Sequence, residues 1–115
     1  MRRIQREEDE IGQSVVVAAD PPGSGNKTER VLTICNRRGL HARASARFVQ
    51  TVDQFDAEVT VKRDGMSVGG LSIMGLMMLA ATKGSDIHVY ATGPEAGAVV
   101  AALTDLVNDR FGEDY

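Results

Sequence analysis

The sequence holds 115 residues, of which 43% are hydrophobic and 25% charged, and its formal net charge is −3. This length supports one domain and hardly two. The acidic balance argues against nucleic acid as a partner, because nucleic-acid-binding domains usually carry a basic stripe. A single cysteine, Cys35, rules out an internal disulfide and indicates a reducing compartment.

Residues 1–29 differ in composition from the rest of the chain. The stretch MRRIQREEDEIGQ is dense in charge, and DPPGSGNKTE is a run of turn-forming and small polar residues. We therefore predict a flexible N-terminal extension over 1–29, followed by one domain over 30–115. The apolar run SVVVAA (14–19) could add an edge strand, but it is too short for a signal peptide, and no run is long enough to span a membrane. We expect a cytoplasmic protein.

The first two elements of the domain are a strand and a helix. VLTIC (31–35) is short and rich in β-branched residues, which predicts a strand. Residues 42–55 show helical spacing, with an apolar stripe opposite a polar one. The apolar stripe consists of Ser45, Phe48, Val49, Val52 and Phe55.

Three further elements follow by alternation and turn signals. EVTVK (58–62) alternates strictly, which predicts a strand with Val59 and Val61 facing the core. Asp64-Gly65 is typical of a hairpin turn that leads into the short strand MSV. Ser72 is a plausible N-cap for a second helix closed by Gly84.

The chain ends in a strand and a helix. DIHVYAT (86–92) alternates again, and Gly93-Pro94-Glu95 favours a helix start. The expected buried stripe of this last helix is Ala96, Val99, Val100, Leu103 and Val107. The element order βαββαβα predicts an α+β fold, an open-faced β-sandwich with a four-stranded, mainly antiparallel sheet and three helices on one face.

His41 stands immediately before the first predicted helix. A helix N-terminus offers unpaired N–H groups and a partial positive charge, and so favours phosphate. Arg43 adds a guanidinium that suits phosphate oxygens, and Gly39 permits a tight backbone and leaves room for a docking partner. The same positive charge disfavours the imidazolium, so a ring nitrogen stays free as a nucleophile near neutral pH. No second acid or base is placed by the sequence to activate water, so phosphorylation of His41 fits better than hydrolysis.

These residues resemble a known family. GLHARASARF (39–48), followed by LSIMGLMMLAATKGSDI (71–87), is similar to the HPr family of histidine-containing phosphocarriers of the bacterial phosphotransferase system. The resemblance covers roughly residues 30–108 and implies the open-faced sandwich. It also implies that His41 accepts a phosphoryl group on Nδ1 from Enzyme I, charged by phosphoenolpyruvate, and passes it to an EIIA-type domain. Arg43 would stabilise the phosphate, and no cofactor or metal is expected.

The resemblance also implies a partner surface and a regulatory site. The expected partner-binding residues are Leu40, Arg47, Ile73, Met74 and Met77. The segment SIMGLMML is apolar nearly all round, which is typical of either a buried short helix or an adaptable docking surface. Ser72 matches the serine that HPr kinase/phosphorylase modifies in many bacteria, although Gly70 and Leu71 stand where many relatives carry a basic residue.

The sequence is compatible with three functions. We expect the chain to be a monomer. The first is a phosphocarrier, a phosphoryl-transfer intermediate rather than a stand-alone catalyst. The second is a regulatory module whose partner binding is switched by phosphorylation at His41 or Ser72, as in the nitrogen-related branch of the system. The third, a nucleic-acid or small-ligand binding domain, ranks last because the sheet lacks interleaved aromatics.

Three further positions, Ala44, His88 and Cys35, are expected to have structural roles only. The family usually has proline where this chain has Ala44; alanine still lets a helix start, and at most a kinetic effect is expected. His88 is predicted to lie on the sheet surface, and Cys35 to be a small core residue.

Overall fold

The computed structural model describes residues 27–115 as one antiparallel sheet covered by helices on one face. The strands are β1 (Lys27–Thr33), β2 (Glu58–Arg63), β3 (Met66–Gly69) and β4 (Asp86–Thr92). The helices are α1 (Ala42–Val52), α2 (Ile73–Met78) and α3 (Ala96–Asn108), and a 3₁₀ turn follows at Arg110–Gly112. The sheet order is β1-β4-β2-β3, and all neighbours pair antiparallel.

The alternation predicted for β2 and β4 is confirmed. Val59 and Val61 are buried, as are Ile87, Val89 and Ala91 in β4. In register, Val61 lies opposite Val89, so both strands send apolar side chains to the helix-covered face. The buried stripe of α3 is also confirmed: Ala96, Val99, Val100, Leu103 and Val107.

Element boundaries depart from the predictions at both ends of the first strand. β1 begins at Lys27, three residues inside the expected 1–29 extension, because Lys27–Glu29 pair with the end of β4. The strand ends at Thr33 rather than at 35, where the chain turns toward the first helix. The run SVVVAA and the rest of the predicted extension lie outside the described residues, so the extension itself stays a prediction.

The helices are shorter than their patterns suggested. α1 ends at Val52 because the N–H groups of Gln54 and Phe55 bond to carbonyls three residues back instead of four. Phe55 then packs against the core from the following turn. α2 ends at Met78 rather than near Gly84, since Ala80 takes a left-handed conformation (φ 52°). α3 begins at Ala96, with Glu95 as its N-cap.

The core should respond very differently to truncation at two leucines that are five residues apart. Leu76 of α2 is fully buried, whereas Leu71 just before that helix is 59% exposed. Leu76→Ala should lower the free energy of unfolding by about 2–5 kcal/mol. The matched control Leu71→Ala should change it by less than about 0.5 kcal/mol in urea titrations. Equal losses in the two variants would show that α2 does not pack as described.

Candidate functional site: a histidine at a helix start beside an arginine-lined cleft

His41 is the N-cap residue of α1. Its backbone is extended (φ −75°, ψ −177°), and its carbonyl accepts the hydrogen bond of the Ser45 N–H at 2.9 Å. The imidazole makes no capping hydrogen bond to the helix, and 22% of the side chain is exposed. The ring is therefore positioned by the backbone at the start of the helix while remaining accessible from outside.

The loop before His41 is fixed against the segment that follows α2. Gly39 has φ +67°, and a Cβ at this position would lie 2.2 Å from the Ala81 carbonyl oxygen. The Leu40 N–H donates to the same oxygen at 2.9 Å. The tight backbone expected at Gly39 is confirmed, because Ala81 occupies the space that a side chain would fill. That space is therefore not open to a docking partner, which corrects the second part of the expectation.

Leu40 also departs from its expected role. Its side chain is 4% exposed and belongs to the hydrophobic core, so it offers almost no surface to a partner. Burying a leucine directly before the N-cap instead stabilises the approach to the helix, as an apolar residue at that position commonly does.

Glu113 is the residue that the sequence did not reveal. Its Oε2 contacts Nε2 of His41, and its Oε1 accepts a hydrogen bond from Nδ2 of Asn36 at 3.0 Å. Nδ2 of Asn36 also donates to the Gly39 carbonyl at 2.9 Å. Asn36 is fully buried, so it links the glycine loop, the carboxylate and the histidine into one network.

The C-terminal segment is anchored on both sides of Glu113. Phe111 is fully buried, although it sits at a left-handed φ of 55°. Beyond the glutamate, the Tyr115 carbonyl accepts from the Arg37 N–H at 2.9 Å, and the Arg37 guanidinium lies 5.2 Å from the Tyr115 ring centroid. A buried aromatic and a paired chain end thus hold the carboxylate against the imidazole.

The environment of Glu113 favours its ionised form. Burial raises the pKa of its carboxyl group, because a buried charge loses hydration. Hydrogen bonds from Asn36 and His41, together with the positive charge of His41 and Arg38, outweigh burial and hold the pKa below its ordinary value of 4.5. Glu113 is therefore a carboxylate at neutral pH.

Next to this network lies an open cleft of about 510 Å³. It is lined by Arg37, Arg38, Arg43, Arg47, Gly112, Glu113, Asp114 and Tyr115. Arg43 and Arg47, from α1, are both exposed, as the predicted polar stripe requires. The structure therefore brings both arginines together with two more from the preceding loop, and the cleft suits an anionic group.

Ser72 is the N-cap of α2, as predicted. Its Oγ accepts a hydrogen bond from the Gly75 N–H at 2.9 Å, and the residue is exposed. A phosphate there would meet the positive end of the helix and not a packed interior, so the fold tolerates it.

The apolar residues after Ser72 are mostly exposed, and only Leu76 of α2 is buried. The exposed fractions are Leu71 59%, Ile73 40%, Met74 70%, Met77 40% and Met78 61%. We call these five residues the α2 patch. Three of them were expected from the sequence, and Leu71 and Met78 extend the surface. Several exposed apolar side chains close together in the sequence are typical of interaction surfaces.

The remaining predicted positions lie apart from the site. His88 faces the open side of the sheet, where its ring stacks on Tyr90 at 6.5 Å, which confirms its assignment. Cys35 is half-buried, and its thiol donates to the Val107 carbonyl at 3.0 Å.

Proteins of known family resemble this chain over most of the described residues. The family description "PTS HPr component phosphorylation site" matches residues 28–109. The chain is 51% identical to the phosphocarrier protein HPr of Neisseria meningitidis over 71% of this chain and 92% of that protein. The chain belongs to the HPr family. It is also 38% identical to the phosphocarrier protein NPr of Shewanella violacea, over 76% of this chain and 96% of that one.

Solved structures of HPr confirm the predicted fold. HPr-C-His from Thermoanaerobacter tengcongensis has a TM-score of 0.73 and 38% identity, covering 76% of this chain and 99% of that one. The phosphocarrier protein HPr from Bacillus anthracis has a TM-score of 0.68 and 34% identity, covering 70% and 96%. The open-faced α+β sandwich is thus the fold of this chain. Within residues 27–115, no helix has the length and apolar character that crossing a bilayer requires.

Ala44, where the HPr family usually has proline, does not prevent the helix. α1 begins at Ala42, and Ala44 is fully buried within its first turn. The start of the helix rests on the Ser45-to-His41 bond and on core contacts, so a proline is not needed to form it.

The His41–Glu113 network should stabilise the fold in a pH-dependent way. Because folding lowers the pKa of Glu113, its contribution is present above the ordinary value of 4.5 and is lost as pH falls through the lowered pKa. Glu113→Gln should therefore reduce the free energy of unfolding by about 1 kcal/mol near pH 7. Urea titrations should show this difference from wild type closing at acid pH, once the carboxyl group of Glu113 is protonated in both the folded and the unfolded state.

The control for this prediction is the exposed neighbour Asp114. Asp114→Asn should remain within about 0.5 kcal/mol of wild type at both pH values. A Glu113→Gln deficit that is unchanged or larger in acid would contradict the lowered pKa.

Proposed function

We propose that this protein is a phosphocarrier of the phosphotransferase system that accepts a phosphoryl group on His41 from Enzyme I and passes it to an EIIA-type domain. Membership of the HPr family supports the phosphocarrier role in that system. The donor, the acceptor, the monomeric state and the cytoplasmic location are parts of the proposal. Either the sugar-transport or the nitrogen-related branch could supply the EIIA partner.

One observation carries the proposal: an accessible imidazole at a helix start, whose partner Glu113 lines a cleft together with four arginines. A phosphoryl group on His41 would bring about two negative charges into a region with partial positive charge from α1. Arg43 and Arg47 lie on the same helix and line the cleft. The protein therefore supplies charge complementarity to the group without needing a metal ion.

Phosphoryl transfer to His41 is chemically balanced. A lone pair of a ring nitrogen forms the new N–P bond while the bond from phosphorus to the donor group of Enzyme I breaks, and that electron pair returns to the donor. The second transfer repeats the exchange with the acceptor. The carboxylate of Glu113 is already bound to Asn36 and His41, so it is not free to activate a water, which favours carrying over hydrolysis.

The α2 patch is the proposed docking surface for both partners. α2 packs against α1, whose first residue follows His41, so one partner could cover the patch and the cleft together. Methionine side chains adapt to different surfaces, which suits a carrier that must bind a donor and an acceptor in turn. Met74, at 70% exposed, is the most accessible member of the patch.

A second candidate function is regulation through Ser72. Ser72 is exposed and borders the α2 patch, so a phosphate there would place added negative charge within the docking surface. HPr kinase/phosphorylase is the proposed modifying enzyme. It would find Gly70 and Leu71 before the serine, where many relatives have a basic residue.

The two histidines of the chain provide a matched test of the carrier function. Incubation with Enzyme I, Mg²⁺ and labelled phosphoenolpyruvate should place an acid-labile, alkali-stable phosphate on wild type. His41→Ala should remove the label completely, whereas His88→Ala should retain it, since His88 lies on the open sheet face. A label that survives in His41→Ala would rule out His41 as the carrier residue.

The docking proposal predicts sensitivity to charge at Ser72. Ser72→Asp should weaken binding to Enzyme I about tenfold, because a charge within an apolar contact surface must lose hydration. The control is Ser67→Asp on β3, which adds the same charge on the open face of the sheet beside Lys62 and His88. Titration calorimetry would measure both. Equal affinities for the two variants would place the docking surface elsewhere.

A further inference from the structure

The hydrogen bonds around Glu113 determine which ring nitrogen of His41 carries the proton. An ionised carboxylate can only accept hydrogen bonds. Its Oε2 contacts Nε2 of His41, so Nε2 must be the donor. In a neutral imidazole the other nitrogen, Nδ1, then carries a lone pair and no proton. Within residues 27–115, Nδ1 has no hydrogen-bond partner to compete for that lone pair.

Asn36 fixes the direction of this network from its other side. The Gly39 carbonyl is an acceptor only, so the Asn36 group that faces it at 2.9 Å must be the amide Nδ2. The same Nδ2 reaches Oε1 of Glu113 at 3.0 Å, which therefore must accept. In the part of the chain that the structure describes, Oδ1 of Asn36 is buried without a partner. The orientation of the Asn36 amide is therefore set by the two acceptors of its nitrogen, the Gly39 carbonyl and Oε1 of Glu113.

We propose that Glu113 is a positioning residue for phosphoryl transfer: by accepting the Nε2 proton of His41, it keeps Nδ1 as the nucleophilic nitrogen. This inference rests on the proposed function, in which His41 is the phosphoryl acceptor. Nδ1 forms the N–P bond with its lone pair, and the proton stays on Nε2 throughout, so no proton has to leave during the step. The ring that results is positively charged and still faces the carboxylate.

The contact between its carboxylate and the imidazole makes this role specific to Glu113. From α1, Arg43 and Arg47 line the neighbouring cleft, and from the loop before it come Arg37 and Arg38. From the C-terminal segment, Asp114 lines the same cleft. The four arginines suit the phosphoryl group. Among residues 27–115, Glu113 is the carboxylate that contacts the ring.

A glutamine at position 113 tests the direction of the network. Nδ2 of Asn36 needs an acceptor, so it should bind the side-chain oxygen of the glutamine and leave the NH₂ group facing His41. That NH₂ donates, so Nε2 would have to accept and the proton would move to Nδ1. Glu113→Gln should therefore invert the tautomer while preserving the shape of the side chain.

The tautomer can be read directly by ¹⁵N NMR of the full chain with labelled histidine. In wild type near neutral pH, the His41 Nδ1 resonance should lie at the position of an unprotonated nitrogen and Nε2 at that of a protonated one. In Glu113→Gln the two should exchange, whereas Asp114→Asn should match wild type. A wild-type proton on Nδ1, or identical His41 spectra for wild type and a folded Glu113→Gln, would overturn the proposal.

A transfer assay connects the tautomer to the reaction. With Enzyme I and phosphoenolpyruvate, the initial rate of labelling of Glu113→Gln should fall about tenfold. This is the loss expected if the tautomer with an unprotonated Nδ1 falls to about a tenth of the population. The matched control Glu58→Gln, an exposed substitution on β2 outside the cleft, should be labelled at the wild-type rate. An unchanged rate in Glu113→Gln would overturn the positioning role. Failure of wild type itself to be labelled would instead refute the proposed function, while the NMR spectra would still decide the tautomer.

Discussion

The contact between His41 and Glu113 joins residues 72 positions apart in the sequence and organises everything around the candidate site. It exists because Phe111 is buried in the core and because Arg37 pairs with the chain end at Tyr115. Through Asn36, the same contact reaches the Gly39 loop that precedes α1. The start of the first helix and the end of the chain are therefore parts of one hydrogen-bonded unit.

This arrangement balances two electrostatic requirements of a carrier. The group must be held firmly enough to survive between partners, which the helix N-terminus and the guanidinium groups of the cleft favour. It must also leave again, and a ring whose proton remains on the far nitrogen is ready to depart as a neutral imidazole. The arginines of the cleft serve the first requirement, and the partly buried carboxylate of Glu113 on Nε2 serves the second.

Local patterns predicted most of the fold but not the completed site. The alternation of β2 and β4 and the stripe of α3 follow from periodicity, and they are confirmed. His41, Arg43 and Ser72 could be predicted as site residues because each belongs to a helix start within a family motif. Glu113 could not be found in this way, since its role arises from a tertiary contact. The one signal for it is Phe111 followed by Gly112, an isolated aromatic anchor after the last helix. The prediction that Leu40 binds a partner was wrong, because the burial of this side chain depends on how the Gly39 loop packs on Ala81.

The α2 patch and the arginine cleft together describe what a partner must present: an apolar contact beside a negatively charged phosphohistidine. The proposed role of His41 is to hold the phosphoryl group on Nδ1 while Nε2 keeps its proton. The most direct measurement is ³¹P–¹⁵N correlation NMR on the full chain, phosphorylated by Enzyme I. We predict that phosphorus couples to Nδ1 of His41. Coupling to Nε2, or to any nitrogen of His88, would contradict the account.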